Sequence, residues 1–383
     1  MQKRASMSRD ERGHAMRQEM SQMPRNRIRH LGAVGIVVAV GLAAGSGAAS
    51  APATGSRQAT EAAQASSKIA FIRGSNFSTS KRGPQPTDGI YVMNADGSGQ
   101  RRLTRSTGLY SWSPDGRTIA FGRWRDGIND IFVMNADGSG QRNLTRTHDA
   151  LNQGAVWSPD GRKIAFTRSS GDNLDIYVMT ADGSGQRKLT RSTGPDMWPV
   201  GPAWSPDGRK ITFGVGYYDA IYVMNADGSG KRLLTRNAGG AAWSPDGRKI
   251  AFTGSDERRG WDVYVMNADG SGRRNLTRRP VDYGGNDNGA SPAWSPDGRK
   301  IAFDRGKGRG IFVMNADGSG QQRLTQSGRQ PRWSPDGRMI AFRHGADGNW
   351  DVYVMNADGS GQRNLTRTPG ADEVEFAWSP VPR

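Results

Sequence analysis

The sequence predicts an all-β fold, specifically a seven-bladed β-propeller with four antiparallel strands in each blade. Three observations support this prediction: two short phrases alternate seven times, the 53 glycines favour many tight turns, and the two ends of the repeat region complement each other. No long run with a helical hydrophobic period follows the N-terminal region.

The two repeated phrases divide the chain at intervals of 39 to 51 residues, a period typical of propeller blades. The phrase "VMNADGSG" begins at Val92, Val133, Val178 (with Thr180 for Asn), Val223, Val265, Val313 and Val354. The phrase "WSPDGR" begins at Trp112, Trp157, Trp204, Trp243, Trp294 and Trp333, and a shortened "WSP" stands at Trp378.

Each repeat contains four strand-like segments. Between residues 155 and 190 these are "AVWS", "KIAFTR", "DIYVM" and "QRKLT", with the turns "PDG" and "NADGSG" after the first and third. Ile164 and Phe166 fall on one face of the second segment and Ala165 on the other, as a sheet stacked between neighbouring sheets requires. Four antiparallel strands in each repeat form one propeller blade.

The ends of the repeat region each hold part of one blade. The first repeat starts with "KIAFIR" at Lys68 and has no "WSPDG" before it, whereas "EFAWSP" ends the last repeat at Pro380. We therefore expect three N-terminal strands and one C-terminal strand to close a ring of seven blades without an open sheet edge.

The loop "NADGSG" contains oxygen ligands that a calcium site could use. Asn94, Asp96 and Ser98 match the first, third and fifth positions of a calcium loop, but Arg105 stands where the chelating Glu belongs. Asp-Gly between two strands instead predicts a hairpin turn. We therefore predict no metal and no cofactor.

The units "WSPDGRKIAF" and "DIYVMNADGSGQRNLT" resemble the WD-repeat-like propeller repeats of the TolB family over about residues 68–380. The resemblance implies a propeller. TolB itself carries a smaller α/β domain before its propeller, acts in the periplasm and binds a peptidoglycan-associated lipoprotein. We expect only an N-terminal signal and a linker to precede the propeller here.

The N-terminal region is typical of an export signal. Arg25, Arg27 and Arg29 precede an apolar run from Leu31 to Gly45, and small residues follow. We predict a signal peptide or N-terminal anchor with a long basic n-region over residues 1–53, a flexible linker over 54–67 and the propeller over 68–383. The predicted location is periplasmic, cell-surface or secreted, with membrane attachment only through an uncleaved N-terminal segment, and the protein is predicted to be a monomer.

The four-strand order separates the loops onto two faces. The near-identical turns "PDG" and "NADGSG" share one face, here called the constant face, and the loops that vary in length share the other, the variable face. Binding residues concentrate on such variable loops, and exposed Trp and Tyr are frequent anchors. The candidate anchors are Trp124, Trp198, Tyr217, Tyr218, Trp261, Tyr283 and Trp350, with Tyr110 on the same face.

Arginine follows the fourth strand in six of the seven repeats, and the chain carries a net charge of +17. These residues are expected to form a basic rim on the variable face, suited to anionic glycans or cell-wall polymers. The rim residues are Arg105, Arg146, Arg191, Arg236, Arg278 and Arg367. A basic charge distributed by the repeat, without a local patch, argues against nucleic acid.

Catalytic equipment is sparse. The chain has no cysteine, only His148 and His344 follow the predicted signal, and no G-x-S-x-G, Walker A or dinucleotide motif is present. Paired loop carboxylates would permit glycan cleavage. These are Asp126, Asp149, Asp172, Asp196, Asp219, Asp256, Asp282 and Asp287. The main prediction is a non-enzymatic, exported propeller that binds a protein partner in the cell envelope or extracellular space. Binding of an anionic polymer and carboxylate-dependent glycan cleavage are the alternatives.

Overall fold

The computed structural model describes residues 67–74, 87–106, 108–125, 128–171, 173–192, 199–216, 219–255, 261–278, 292–305, 309–346 and 349–380. The regular elements in these ranges are all β-strands. None of the residues described there forms a helix with the length and hydropathy needed to cross a membrane. The predicted segment 1–53, and the predicted linker apart from Ser67, lie outside the described residues.

The strands form groups of four, here called units one to seven. Unit one contains β1 (Lys68–Gly74), β2 (Gly89–Asn94), β3 (Arg101–Thr104) and the last strand, β28 (Asp372–Trp378). Unit two contains β4 (Tyr110–Trp112), β5 (Thr118–Arg125), β6 (Ile128–Asn135) and β7 (Arg142–Asn143), and unit three contains β8 (Leu151–Trp157), β9 (Lys163–Ser170), β10 (Asn173–Thr180) and β11 (Arg187–Lys188). Unit four contains β12 (Pro199–Trp204), β13 (Lys210–Val215), β14 (Ala220–Asn225) and β15 (Arg232–Arg236), and unit five contains β16 (Ala238–Trp243), β17 (Lys249–Ser255), β18 (Trp261–Asn267) and β19 (Arg274–Asn275). Unit six contains β20 (Ala293–Trp294), β21 (Lys300–Asp304), β22 (Ile311–Asn315) and β23 (Gln322–Arg323), and unit seven contains β24 (Arg329–Trp333), β25 (Met339–Ala346), β26 (Asn349–Asn356) and β27 (Arg363–Asn364).

Neighbouring strands within each unit are antiparallel, which confirms the predicted all-β, four-stranded architecture of the repeats. Units two and three are also joined by one parallel pair, Asn129 with Leu151. In unit one the order is β28-β1-β2-β3, with Phe71 opposite Phe376 and Ile69 opposite Trp378. The predicted pairing of the C-terminal strand with the first N-terminal strand is therefore present.

The core lies between the units. Because "IAF" alternates large and small side chains across the second strand, each sheet presents an apolar surface to both neighbours. The buried side chains of the described residues form seven clusters, and each joins consecutive units. One cluster packs Met339 and Val352 of unit seven against Phe71 and Trp378 of unit one. The first strands of successive units contact one another, so these strands line the inner side of the arrangement.

The "NADGSG" segment forms the predicted hairpin turn. In unit one the Asp96 carboxylate accepts hydrogen bonds from the Ser98 backbone N–H (2.8 Å) and hydroxyl (2.7 Å), and these bonds lower the pKa of Asp96. Gly97 and Gly99 have φ values of +90° and +64°, a region that favours glycine. The carboxylate that a metal loop would offer is therefore engaged by its own turn.

The same turn also joins neighbouring units, a role that the sequence analysis did not predict. An arginine after the turn donates to a backbone carbonyl in the next unit's turn, as Arg142 does to Asp182 O (2.7 Å). Equivalent bonds are made by Arg101, Arg187, Arg232, Arg274 and Arg363. Arg363 of unit seven reaches Ala95 O of unit one (3.5 Å). In the opposite direction, Gln100 Nε2 of unit one donates to Leu365 O of unit seven (2.8 Å).

Candidate binding surface at the variable face

In units two, five and seven, the same hydrogen-bonded polar cluster lies at the end of the fourth strand. In unit two, Asn143 Oδ1 accepts the backbone N–H groups of Thr145 (3.1 Å) and Arg146 (3.0 Å), while its Nδ2 donates to Asp130 (2.8 Å). Units five and seven repeat this arrangement around Asn275 and Asn364. The three "NLT" triplets that begin at Asn143, Asn275 and Asn364 therefore have a structural role inside the repeat.

This cluster holds three of the rim arginines in a fixed backbone conformation. Arg146, Arg278 and Arg367 have φ values of 49°, 49° and 46°, the left-handed region that non-glycine residues rarely adopt. The Asn side chain stabilises that conformation by accepting the arginine's own N–H.

All six predicted rim arginines are exposed. Within the described ranges, none of their guanidinium groups makes a hydrogen bond or an ion pair with another residue. Their charge is therefore available to solvent or to a ligand. The set comprises Arg105, Arg146, Arg191, Arg236, Arg278 and Arg367.

The predicted aromatic anchors divide into three groups. Trp124 is 43% exposed at the end of β5, whereas Trp261 and Trp350 are half-buried at the starts of third strands. Trp198, Tyr217, Tyr218 and Tyr283 lie outside the described residues. The expectation that Tyr110 is an exposed loop aromatic is wrong. Its ring is 3% exposed and its hydroxyl donates to Ala70 O (2.5 Å), because it begins an inner strand that packs between units.

Trp350 is held between two cations. The guanidinium carbons of Arg329 and Arg343 lie 5.1 and 5.2 Å from its ring centroid, and its backbone N–H donates to Asp372 (3.0 Å). Contacts of this length are favourable cation–π interactions. Trp350 therefore packs against neighbouring residues of its own chain, and its ring is only partly available to a partner.

A charged cluster lies beside Trp350, with Arg332 on the inner strand β24, Arg343 on β25 and Glu375 on the inner strand β28. Burial raises the pKa of Glu375, and the nearby Arg332 and Arg343 partly offset this effect. Burial lowers the pKa of Arg343 to about 10, although Glu375 and Asp372 oppose the change. Groups whose ionisation is shifted by burial and by specific charge partners are typical of functional sites.

The sequence analysis missed this cluster, although a signal for it exists. The residue before the repeated Trp is small or aliphatic in the six other units: Ser111, Val156, Ala203, Ala242, Ala293 and Ala377. In unit seven that residue is Arg332. This arginine on an inner strand departs from the repeat pattern, and that departure could have identified the charged cluster from the sequence.

A second charged group joins β28 to β1. Arg73 Nε donates to the fully buried Glu373 (2.8 Å). Burial raises the pKa of Glu373 to about 7, with Arg73 opposing the shift and Asp351 adding to it. Because Glu373 has no exposed surface, its carboxylate is not accessible to a substrate at the protein surface.

Few of the candidate catalytic residues lie in the described ranges. His148, Asp149 and Asp219 are exposed, and Asp126, Asp172, Asp196, Asp256, Asp282 and Asp287 lie outside the described residues. In the described ranges, no three His, Asp or Glu side chains form a group able to hold a metal ion.

Comparisons with known proteins agree with the repeat and the fold. The chain is a repeat protein of the β-propeller class. Residues 66–239 match the family described as the TolB beta propeller domain, and these repeats are TolB-like. No match was found among curated proteins.

The solved structures that resemble this chain share little sequence identity with it, so the resemblance concerns the fold alone. The chain is similar to a puromycin-hydrolyzing peptidase from Mycobacterium tuberculosis, with a TM-score of 0.60, 15% identity and coverage of 79% of this chain but 53% of the peptidase. It is similar to the beta-propeller domain of the Trilobed protease from Pyrococcus furiosus, with a TM-score of 0.56, 15% identity and coverage of 79% and 93%. TolB from Acinetobacter baumannii matches with a TM-score of 0.49, 18% identity and coverage of 88% and 89%.

Proposed function

We propose that units one to seven form a closed seven-bladed β-propeller. Each pair of consecutive units shares an apolar cluster, and unit seven shares one with unit one. The bonds from Arg363 to Ala95 and from Gln100 to Leu365 repeat, across the chain ends, the contacts made between other units. Pairing of the two termini in one sheet is an effective way to protect a sheet edge.

We further propose that this propeller is exported, has no enzymatic activity and binds a protein partner in the cell envelope or extracellular space. The observation that carries the proposal is the difference between the two faces. On the constant face, turn side chains bond within their own turns or to the adjacent unit. On the variable face, Trp124 and the rim arginines remain exposed. A rigid scaffold that exposes aromatic and Arg side chains on one face suits protein recognition.

The test is partner capture with matched variants. Only two large apolar side chains in the described ranges are exposed: Trp124 on the variable face and Leu233 (36% exposed) on the outer strand β15. Full-length protein bearing Trp124→Ala or Leu233→Ala is immobilised and incubated with envelope extract. We expect a protein recovered by the wild type to be retained by Leu233→Ala and lost by Trp124→Ala. Equal recovery by both variants, with unchanged thermal unfolding, would contradict this assignment.

Binding of an anionic glycan is the second candidate, favoured by the six exposed rim guanidiniums without partners among the described residues. The probe is polygalacturonate, with a triple variant carrying Ser at Arg146, Arg191 and Arg236. Binding through these charges should weaken steeply between low and high salt and should weaken in the variant. Salt-independent binding would exclude this mode.

A further inference from the structure

Arginine occupies the groove beside an aromatic pair in most units. A Phe of the second strand stacks near a Tyr or Phe of the third strand, and a guanidinium lies over the pair. In unit three the carbon of the Arg168 guanidinium is 5.3 Å from the Phe166 centroid and 4.5 Å from that of Tyr177. The equivalent cations are Arg73, Arg123, Arg273 and Arg305.

Polar acceptors complete these grooves. In units one, two, three and six, the guanidinium donates to the Gln Oε1 that follows the same unit's "GSG", as Arg305 does to Gln321 (3.0 Å). In unit two, Arg123 also reaches Thr104 Oγ1 of the preceding unit (3.1 Å). The fold therefore provides a guanidinium site built from an aromatic pair, a glutamine oxygen and a threonine hydroxyl.

Unit seven retains this site but lacks the arginine. His344 stands two residues after the Phe of the repeated "IAF" segment. In four other units that position is occupied by Arg73, Arg123, Arg168 and Arg305. Its ring meets Tyr353 edge-on (4.8 Å between centroids), and its Nδ1 lies 2.8 Å from Ser327 Oγ. Because the imidazole is shorter than the arginine side chain, it leaves a cleft of about 410 Å³ between units six and seven.

The lining of this cleft matches the other grooves. It includes Phe342, Tyr353, Gln362 and Thr325. Gln362 Nε2 donates to Leu324 O (3.2 Å) and Gly359 O (3.1 Å), as the equivalent glutamines do, so its Oε1 is left as the acceptor. No donor to that oxygen is found among the described residues.

We propose that the cleft between units six and seven binds a guanidinium group, presented by an arginine side chain of the protein partner. The proposed function supplies only the source of the arginine. The site itself rests on the aromatic pair, the free acceptor and the space left by His344. An incoming guanidinium would lie against the half-buried Tyr353 ring, which packs on the buried Phe342, and would donate to Gln362 Oε1.

One resident cation, Arg323, also lines the cleft. Its guanidinium donates to the carbonyl oxygens of Thr325 (2.9 Å) and Gln326 (2.6 Å), so two of its donors are already engaged. Arg102 holds the same register in unit one, and the next groove nevertheless accommodates Arg123. A cation at this position is therefore compatible with a bound guanidinium.

The experiment titrates N-acetyl-arginine methylamide into the full-length protein and measures binding by ligand-observed saturation-transfer NMR. The lysine and glutamate analogues are the comparison ligands. His344→Arg refills the groove with the residue that four other units use, so its fold should be preserved. His148→Arg makes the same substitution at an exposed histidine outside the cleft and serves as the matched control.

We expect saturable binding of the arginine ligand, with binding of the lysine and glutamate ligands weaker by about tenfold or more. His344→Arg should weaken arginine binding by at least about tenfold, and His148→Arg should leave it unchanged. Absence of arginine binding, preference for glutamate, or unchanged binding in His344→Arg would overturn the site.

Partner capture by the same variants tests the source of the arginine separately. Loss of capture in His344→Arg supports a partner arginine, whereas retained capture refutes that source. If the wild-type protein binds the arginine ligand but captures no partner, the proposed function is overturned and the guanidinium site is still supported.

Discussion

The fourth residue of the repeated "NADGSG" turn is a glycine that lies against the neighbouring unit. This contact can be tested at Gly183, in the "TADGSG" copy of unit three. A Cβ at this position would lie 2.9 Å from Leu144 O and 3.1 Å from Leu144 Cα, well inside the 3.4 Å at which ordinary contact begins. The contacting atoms are backbone of unit two, so they cannot move aside as a flexible side chain would. Gly183 also has a φ of +92°, which L-residues rarely adopt.

The expected cost of Gly183→Ala combines these two effects. Left-handed backbone costs an alanine about 1–2 kcal/mol, and overpacking a close contact costs about 1–3 kcal/mol. The matched control is Gly171→Ala, because Gly171 has a φ of +59° and no atom within 4 Å of its added Cβ. The control therefore experiences the backbone cost without the contact between units.

Thermal unfolding followed by circular dichroism measures the difference. A loss of 1 kcal/mol lowers Tm by roughly 2–4 °C in domains of 150–250 residues and by less in larger ones. On that scale, we expect Gly183→Ala to lower Tm by roughly 3–8 °C and Gly171→Ala by about 1–3 °C. Equal shifts in the two variants would refute the inference that the turn is packed against its neighbour.

Two further predictions concern the buried Glu373 and the Asn143 hydrogen bonds. Because the pKa of Glu373 is raised from 4.5 to about 7, its stabilising contribution is complete below pH 4.5 and is lost as the pH rises through 7. The free energy of unfolding of the wild type, relative to that of Glu373→Gln, should therefore fall by up to about 3 kcal/mol between pH 5 and 8. Denaturant unfolding at both pH values measures this difference. A difference that does not change with pH would contradict the reasoning. Asn143→Ala removes the acceptor of the Thr145 and Arg146 N–H groups, so we expect a loss of about 1–3 kcal/mol in the same assay; a loss below about 0.5 kcal/mol would show that the left-handed Arg146 needs no such support.

Much of the fold could be predicted from local pattern. The alternation in "KIAF" sets which face of each strand is apolar, and Asp-Gly between strands sets the turn, because both depend on the nearest residues in the chain. The pairing of β28 with β1 was also predictable, since a strand missing from the first repeat reappears at the end. These features are repeated, so each copy reinforces the same interpretation.

The sequence alone could not assign the side chains that depart from the repeat. Tyr110 and Trp350 looked alike as loop aromatics, yet one is buried between units and the other lies beside two arginines. Arg332 and Glu375 stand 43 residues apart in the chain. Their proximity follows from the packing of unit seven against unit one, which no local pattern encodes.

The sequence by itself determined the repeat, the strands, the constant turns and the position of the six rim arginines, because each depends on residues within a few positions along the chain. Only the tertiary structure decided that the "NADGSG" turn joins units, that Glu373 is buried beside Arg73, and that His344 leaves a cleft where other units hold arginine. Each of these features depends on atoms from two units, and the distances between them are set by how the sheets pack against one another.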